Sequence, residues 1–557
     1  MVKRFLNHSS KTVFSAAFIL AVSALVSRLL GLFRDRLLAG RFGAGDELDI
    51  YFAAFRLPDL IYNILIIGAI SSAFIPVFAQ YFKKDEKEAW HLTSGLFNLI
   101  SLILIVLGIV LILLAPQLIS IIAPGFSGAK KEMTVLLTRI MFFSPLLLGL
   151  SSIFSSILQY FHRFFISSLA PIMYNLGIIF GILFFVPKWG LVGLAWGVVL
   201  GALLHFLIQV PSAIYSGFRL TKIPTLIHPG IKKIIKLMIP RTIGLAGSQV
   251  NFLVITALAS TLTSGSIAIF NLANNLQYVP IGIIGISFAT AVFPRLAKSF
   301  AEENKEEFSR NFSSTFSQTL YLVLPLTLLL FLLRAQIVRI ILGTGQFGWV
   351  DTRLTAAALG IFSFGIFAQS LIPLISRAFY SFHNTKTPVM ISLWSIALNV
   401  LGSFVFIWLL NNENLFSNFI SYSLKLRGLD NFSVLGLPIA FVLAGIFNFF
   451  VLLKYFDRKI RSWQPKFILN SLIKILFSCI FMALTVYALL YCLSLFVNTR
   501  TFVGIFVQAV AAAIGGTIIY FIVSLLLKSK EALVLIKKIF HPTDGRPKGK
   551  INESRKY

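Results

Sequence analysis

Charged side chains are scarce in this chain, and acidic ones are the scarcest. Of its 557 residues, 12% are Asp, Glu, Lys or Arg, about half the share found in a soluble domain, and Asp and Glu together number 20. Such a composition excludes a soluble globular enzyme and a disordered chain. The two cysteines, Cys479 and Cys492, are too few for a disulfide scaffold and have no zinc-binding spacing.

Signatures of nucleotide and metal chemistry are also missing. The Gly549-Lys550 pair is followed by isoleucine in a polar tail, so no Walker A sequence is present. The seven histidines form no His-Glu-x-x-His motif. We therefore predict a protein that is not an enzyme, with no cofactor and no catalytic metal. A net charge of +29 would suit a nucleic-acid binder, but such a protein would not be this apolar, so no nucleic-acid partner is expected.

The chain is rich in apolar residues, which make up 57% of it and give a mean hydropathy of +0.88. A helix crosses the bilayer with about 20 such residues. The apolar runs predict an all-α polytopic membrane protein with about 14 transmembrane spans, at approximately 13–40, 48–80, 92–123, 134–161, 165–187, 190–217, 234–262, 265–294, 313–343, 353–381, 387–410, 432–456, 468–495 and 501–527.

The basic residues between these spans predict the orientation. Lys and Arg concentrate in alternate segments, which are 1–12, 81–91, 162–164, 218–233, 295–312, 382–386, 457–467 and 528–557. The opposite loops are poor in them. This positive-inside pattern places both termini in the cytoplasm and makes the first run a retained helix. Most of the positive charge then marks the cytoplasmic side and attracts membrane lipids.

Short sequence matches indicate an internal repeat. Segments that start at Pro76, Gln117, Phe161 and Val192 recur in the same order at Pro294, Gln336, Phe382 and Leu435, roughly 220 residues later. The repeat predicts two pseudo-symmetric six-helix lobes, as in alternating-access transporters. We predict an N-lobe over 1–220, a C-lobe over 221–460, two extra helices within 461–528 and a basic tail over 529–557.

Several charges lie inside the apolar runs, where a charged group costs roughly 2.5–3.5 kcal/mol. We predict that Arg28, Arg34 and Arg56 line a cationic cavity that binds an anionic headgroup, most plausibly phosphate, and that Asp35 and Asp49 hold these arginines. For Arg36, Arg41 and Asp59, internal pairing or a position at the membrane interface is favoured. Asp46 is predicted to cap the second span.

Further polar residues in the spans are candidates for the same cavity. Spans 7 and 8 are rich in amides, including Asn271 and Asn275, which either line the cavity or form hydrogen bonds between helices. Arg377 in span 10 is a further candidate. Pro58 and Pro280 are among the prolines predicted to kink helices.

The motifs of the first two spans resemble a known family. Ser27-Arg28-x-x-Gly31-x-x-Arg34-Asp35, Phe42-Gly43-Ala44-Gly45-x-x-x-Asp49 and Ala54-Phe55-Arg56-x-Pro58 closely resemble the MurJ (MviN) family of lipid II flippases. Similar matches include Gly68-Ala69-x-Ser71, Pro171-x-x-x-Asn175 and Arg377-x-Phe379-Tyr380, and together they run from about residue 13 to residue 460.

The resemblance implies a MATE-like transporter in the cytoplasmic membrane of a bacterium. Its substrate would be lipid II, the undecaprenyl-diphosphate-linked peptidoglycan precursor, moved from the inner to the outer leaflet for cell-wall synthesis. The lipid tail would lie in a groove at spans 13 and 14, and cell-wall synthesis proteins are possible partners. A flippase for another undecaprenyl-diphosphate glycan, a MATE-type cation-coupled drug exporter and a scaffold for cell-wall synthases are the alternatives.

The sequence also departs from the family pattern. Tyr62 and Asn275 stand where many relatives have cavity arginines. Ile255 stands where some members have an acid associated with a sodium site, and Ser403, one turn after Asn399, stands in place of another acid. Tyr62 and Asn399 are accordingly candidate cavity residues here. The driving force is left among membrane potential, a proton and sodium.

Overall fold

The computed structural model describes residues 13–67, 70–220, 228–429, 431–459 and 465–534. Most of the predicted basic tail lies outside these residues. The α-helices are α1 Val13–Phe42, α2 Asp46–Ile61, α3 Ile70–Lys84, α4 Glu86–Ile122, α5 Gly128–Met141, α6 Phe143–Tyr160, α7 Phe164–Phe180, α8 Val186–Leu207, α9 Val210–Tyr215, α10 Pro229–Ser260, α11 Ser266–Pro280, α12 Ser287–Ala301, α13 Lys305–Leu332, α14 Arg334–Ile341, α15 Trp349–Ser363, α16 Ile366–Ser381, α17 Lys386–Asn411, α18 Leu415–Ser423, α19 Gly436–Lys459, α20 Pro465–Phe496 and α21 Phe502–Leu526. The described residues contain no β-strand.

The helices have the length and composition of membrane spans. Within the described ranges, nine helical segments are long and apolar enough to cross a bilayer, or ten if the bent pair α15 and α16 is one span. One of the nine, Phe164–Tyr215, covers two predicted spans and is broken at Gly190, where φ is +56°. Helices α1 and α10 lie over the predicted spans 1 and 7, and the predicted span 2 is divided between α2 and α3. A multi-pass all-α membrane protein is thus confirmed, and the count of 14 stays a prediction.

The two halves of the chain share unusual backbone features. A π-helical segment, Tyr62–Ile67, lies between α2 and α3, and its counterpart Ile281–Ile286 joins α11 to α12. Each follows a predicted kink proline, Pro58 or Pro280. Such segments commonly mark functional hinges. Because they recur roughly 220 residues apart, they match the predicted repeat.

A second matching feature is the turn after α6 and the turn after α16. His162 and His383 both have φ of +58°, in the left-handed region that few non-glycine residues adopt. Both turns close with the same hydrogen-bond pattern: Arg163 N donates to Leu158 O at 2.8 Å, and Asn384 N donates to Phe379 O at 3.1 Å. The two Phe-His matches therefore mark turns with the same backbone conformation, as the predicted repeat requires.

The described residues divide into two compact units. The first runs to Val279 and adds Arg334–Gly365 and Thr385–Leu452, and its core includes aromatic contacts of Trp90 with Phe161 and Phe82. Both units draw residues from beyond position 220, so the predicted lobe boundaries stay a prediction.

The second unit comprises Pro280–Leu333, Ile366–Asn384 and the described residues from Leu453 onward. In this unit the hairpin of α20 and α21 is joined to α13, because the Tyr520 hydroxyl donates to Tyr321 O at 2.8 Å. The predicted lipid-tail groove at these two helices stays a prediction.

Helices α7 and α8 approach closely through glycines. A Cβ atom on Gly177 would lie 2.3 Å from the Cα of Gly201, and one on Gly181 would lie 2.4 Å from the Cα of Gly197. Both pairs follow a four-residue spacing of small residues, which lets membrane helices pack backbone to backbone. Close packing of these helices therefore depends on having glycine, which has no side chain, at these positions.

Replacing Gly197 by valine is expected to destabilise the protein by about 1–3 kcal/mol, because the new side chain forces the two helices apart. The measurement is the thermal unfolding temperature of the purified protein in detergent. Gly108→Val is the matched control, since a Cβ at Gly108 meets nothing within 4 Å. Equal unfolding temperatures for the two variants would contradict the packing argument.

Candidate functional site: an arginine wall opposite one helix face

Helix α11 presents three polar side chains on one face, and each contacts a charged side chain from the first two helices. Asn271, Asn275 and Tyr278 follow the spacing that aligns residues along one side of a helix. Their partners are Arg56, Asp35 and Arg28 in turn. Two of the three predicted cavity arginines are therefore in direct contact with this face of α11. We name the set of Arg28, Arg34 and Arg56 the arginine wall.

Arg56 is held by neutral groups from two helices. Its Nε donates to the Thr256 hydroxyl at 2.8 Å, and its Nη2 donates to the Asn271 side-chain oxygen. The guanidinium also lies 5.4 Å from the centre of the Phe252 ring, within the range of a cation–π contact. Asp59, three residues along α2, interacts with Arg56 electrostatically and accepts a hydrogen bond from Asn63 at 2.8 Å.

Arg34 is the arginine that has a carboxylate partner. Its Nε and Nη2 donate to Asp35 Oδ1 at 3.1 and 2.8 Å, and its Nη1 donates to Asn175 Oδ1 at 3.2 Å. The second oxygen of Asp35 accepts from Asn275 at 2.9 Å. Asp35 thus joins α1 to α11, as well as holding Arg34 as predicted, and its side chain is almost fully buried.

Arg28 has the fewest partners of the three. Its guanidinium carbon lies 5.9 Å from the centre of the Tyr278 ring, at the outer limit of a cation–π contact. Tyr278 is 48% exposed, so this pair borders open space. Within the described part of the chain no hydrogen bond uses the guanidinium donors, so they are available to an incoming acceptor.

The local charge balance favours an anion. Within the described ranges, neither Arg28 nor Arg56 forms a hydrogen bond or ion pair with a carboxylate; among the three arginines, only Arg34 does. Asp59 interacts with Arg56 electrostatically, but without a direct salt bridge. Guanidinium groups in a low-dielectric wall without a directly paired carboxylate are costly, and a ligand that supplies negative charge lowers that cost. Their planar forks match phosphate oxygens in pairs.

Asp49 does not hold an arginine, contrary to the prediction. Its two oxygens accept from the backbone N–H groups of Gly265 at 2.8 Å and Ala268 at 2.9 Å, and Lys130 Nζ lies 3.8 Å away. Because a helix N-terminus carries unpaired N–H groups and partial positive charge, a buried carboxylate is stabilised there. Asp49 therefore ties α2 to the start of α11.

The loops beside Asp49 touch at glycines, in a set of residues that we name the glycine contact: Gly40, Ala44 and Gly125 from the first half, with Ser260, Gly265 and Gly345 from the second. A Cβ on Gly265, where φ is +85°, would lie 1.8 Å from Ala44 O. One on Gly345 would lie 2.1 Å from Gly40 O, and one on Gly125 would lie 2.0 Å from Ser260 O. Backbone therefore packs directly on backbone where these loops meet.

Charged side chains reinforce the glycine contact. Arg36 donates to the carbonyl oxygens of Ile340 and Ile341 at the end of α14, so it is paired internally as predicted. Asp351 accepts from Ala44 N at 3.2 Å. The cation Arg36 thus lies at the C-terminus of α14, and the anion Asp49 lies at the N-terminus of α11. Each charge is opposite in sign to the partial charge of the helix end that it contacts.

The prediction that Asp46 caps α2 is wrong. Gly45 is the N-cap residue, and Asp46 is the first residue of the helix. Its carboxylate accepts from Lys130 Nζ at 2.5 Å. Hydrogen bonds from Lys130 and then from Ser264 lower the pKa of Asp46 below its ordinary value, so it stays ionised at neutral pH.

The remaining candidate residues form no hydrogen bond with the three arginines within the described part of the chain. Tyr62 begins the π-helical segment after α2 and packs on apolar neighbours. Arg377 belongs to the second compact unit, where it donates to Ile286 O at 3.4 Å. Asn399 is buried and donates to Asn251 Oδ1 at 2.7 Å, a hydrogen bond between helices α17 and α10.

The residues near Asn399 do not fit a sodium site built on acids. Ile255 is buried in the apolar core, and the Ser403 hydroxyl donates to Asn399 O at 2.7 Å. Neither supplies the carboxylate oxygen that a hard cation prefers. No step of the mechanism is therefore assigned to such a site.

Three contributors to the wall were not predicted as such. Thr256 and Tyr278 each contact an arginine, and Asn175, noted only as part of a motif, holds Arg34. The role of Tyr278 could have been predicted from the sequence, because it is one turn beyond Asn275 on the amide-rich face. The contact of Thr256 with Arg56 could not have been predicted, since a threonine in an apolar run usually forms a hydrogen bond with the backbone of its own helix.

Comparison with known proteins decides the family. The model of the family described as "Lipid II flippase MurJ" matches residues 38–511. The chain belongs to the MurJ family. Among MurJ relatives, a "Probable lipid II flippase MurJ" of Buchnera aphidicola subsp. Acyrthosiphon pisum is 30% identical over 497 residues, covering 87% of this chain and 91% of the relative. The "Lipid II flippase MurJ" of Burkholderia cenocepacia is 27% identical over 412 residues, covering 72% and 80%.

Solved structures agree with the MurJ assignment. A lipid II flippase MurJ in an inward closed conformation matches with a TM-score of 0.73 and 25% identity, over 93% of this chain and all of that one. An inward-facing multidrug resistance MATE family transporter matches with a TM-score of 0.63 and 15% identity, over 78% and 95%. The second likeness shows the fold alone, and it confirms the predicted MATE-like architecture.

Proposed function

We propose that this protein moves lipid II across the cytoplasmic membrane, from the inner to the outer leaflet, without breaking a covalent bond. The observation that carries the proposal is the arginine wall, in which Arg28 and Arg56 form no direct hydrogen bond or salt bridge with a carboxylate of the described residues. The diphosphate of the substrate carries two negative charges and presents oxygens that suit guanidinium forks. A cation exporter would need the opposite charge in its cavity.

The proposed mechanism is alternating access between two lobes. The diphosphate replaces the neutral partners of the arginines, namely the Asn271 oxygen at Arg56 and the Tyr278 ring at Arg28. Since these partners belong to α11, substrate binding would weaken the attachment of α11 to the first two helices. Opening of the glycine contact would then release the headgroup on the other side.

The orientation belongs to the same proposal. With both termini in the cytoplasm, the loops that form the glycine contact face the outer side, because they are predicted to be non-cytoplasmic. The closed glycine contact then corresponds to a state that is shut toward the outside. The π-helical segments are the proposed hinges, since they can change register without breaking a helix.

Complementation tests the proposal in cells. We expect the chain to restore growth to a bacterial strain from which its own lipid II flippase is depleted, when membrane expression is verified by immunoblot. Asp49→Asn is expected to reduce rescue, because an amide cannot accept from both Gly265 N and Ala268 N as a carboxylate does. Absence of rescue by the parent chain at normal expression would overturn the proposal.

A further inference from the structure

Helix α18 lies in a segment that the first half of the repeat does not contain. It follows α17 after three residues, and Asn414 caps it by accepting from Ser417 N at 2.8 Å. At its end Leu426 N donates to Ser421 O at 2.7 Å, with Lys425 in the left-handed conformation. With nine residues, α18 is too short to cross a bilayer.

The two faces of α18 are both apolar, but only one is buried. Phe416 and Ile420 pack on the core of the first compact unit. On the opposite side, Leu415, Phe419 and Tyr422 are 91%, 64% and 66% exposed. Their spacing places them along one stripe of the helix. A stripe of three large exposed apolar side chains requires an apolar environment outside the chain.

Basic residues border this stripe. The Arg427 guanidinium lies 4.8 Å from the centre of the Tyr422 ring. Arg353 braces the same turn by donating to Lys425 O and to Arg427 O, the latter at 3.0 Å. Lys425 and Arg427 lie in a loop predicted to be non-cytoplasmic, where the positive-inside rule does not call for basic residues. They therefore point to a ligand.

We infer that α18 is an interfacial helix, with Leu415, Phe419 and Tyr422 inserted below the lipid headgroups and Lys425 and Arg427 bound to lipid phosphates. The preceding helix α17 also carries exposed apolar side chains: Leu401 and Trp408 are both 65% exposed and stand two turns apart on one side of it. Since α17 has the composition of a membrane span, its exposed side faces lipid. The end of that lipid-facing side reaches the headgroup region, where aromatic and basic side chains are favoured.

The interfacial helix gives the second half of the transporter a fixed level in the bilayer. When lobes move against each other, an element embedded in the interface resists displacement along the membrane normal. This role does not depend on the identity of the transported lipid, so it can fail while the proposed function holds.

Fluorescence quenching in vesicles tests the inference. The full chain, with Cys479 and Cys492 replaced by alanine, receives one cysteine at Phe419 or, as the matched control, at exposed Glu413, and is labelled with an environment-sensitive dye. We expect lipids that carry a nitroxide near the headgroup to quench the dye at 419 several-fold more strongly than at 413. Aqueous iodide should show the reverse order.

Two other outcomes would overturn the inference. Equal iodide quenching at 419 and 413 would mean that the stripe faces water, and protection of 419 from both quenchers would mean that protein covers it. Adding phosphatidylglycerol to phosphatidylcholine vesicles should move the dye at position 419 deeper into the bilayer. The double substitution Lys425→Gln, Arg427→Gln should abolish that shift in depth. A shift that survives both substitutions would rule out the assigned phosphate contacts.

Discussion

Replacing Arg28 by alanine is expected to slow lipid II flipping by roughly 30-fold or more while leaving thermal stability unchanged. Within the described chain Arg28 makes no hydrogen bond, and its guanidinium forms a cation–π contact at 5.9 Å with the exposed ring of Tyr278. Little folding energy therefore depends on it. Removing one member of a buried hydrogen-bonded charge pair with the diphosphate costs about 2–5 kcal/mol. A rate loss at constant unfolding temperature would separate substrate binding from structure.

The matched control for Arg28 is Arg41. It is an exposed arginine on the same helix, and Arg41→Ala is expected to flip at the rate of the parent protein. Arg28→Lys should fall between the two, because lysine keeps the charge and loses the paired donors. If Arg28→Ala and Arg41→Ala flip equally fast, the arginine wall does not bind the substrate.

Replacing Gly265 by alanine is expected to prevent closure of the glycine contact and to abolish transport. A Cβ at this position would lie 1.8 Å from Ala44 O, and the +85° φ angle adds strain for any side chain. Because the obstacle is backbone, the loops must separate. Separation also removes the two hydrogen bonds to Asp49, each worth about 1.5–3 kcal/mol to a charged acceptor.

Cysteine cross-linking measures this closure. Cysteines at Asp46 and Ser264, whose side chains are hydrogen-bonded, should form a disulfide readily in the parent protein and poorly in Gly265→Ala. Gly128→Ala is the control. Gly128 also has a positive φ angle, but a Cβ at this position would have no atom within 4 Å. Unchanged cross-linking in Gly265→Ala would mean that the glycine contact does not hold the closed state.

Much of the architecture could be predicted because it depends on local composition and on repetition. Apolar runs specify helices wherever they are long enough, and the Phe-His matches correctly located the equivalent turns at His162 and His383. The predicted cavity arginines Arg28 and Arg56 were located by the same reasoning, since a guanidinium in an apolar run must face a polar partner or open space.

The partners of these groups could not be predicted, because they are set by tertiary contacts. Asp49 was expected to hold an arginine on its own helix face, but the unpaired N–H groups at the start of α11 attract it more strongly. That helix end is brought near by the close approach of Gly265 to Ala44. Helical spacing shows which residues share a face, and it does not show which distant helix end that face meets.

The central claim is that the arginine wall binds and moves a diphosphate-linked lipid, and transport by the purified protein tests it most directly. Vesicles containing headgroup-labelled lipid II are treated with a membrane-impermeant quencher, and the protected fraction is followed over time. We predict that the parent protein renders the inner pool accessible and that the double variant Arg28→Ala, Arg56→Ala leaves it protected as in protein-free vesicles. Protection in the parent vesicles, or undiminished transport by the double variant, would contradict the account.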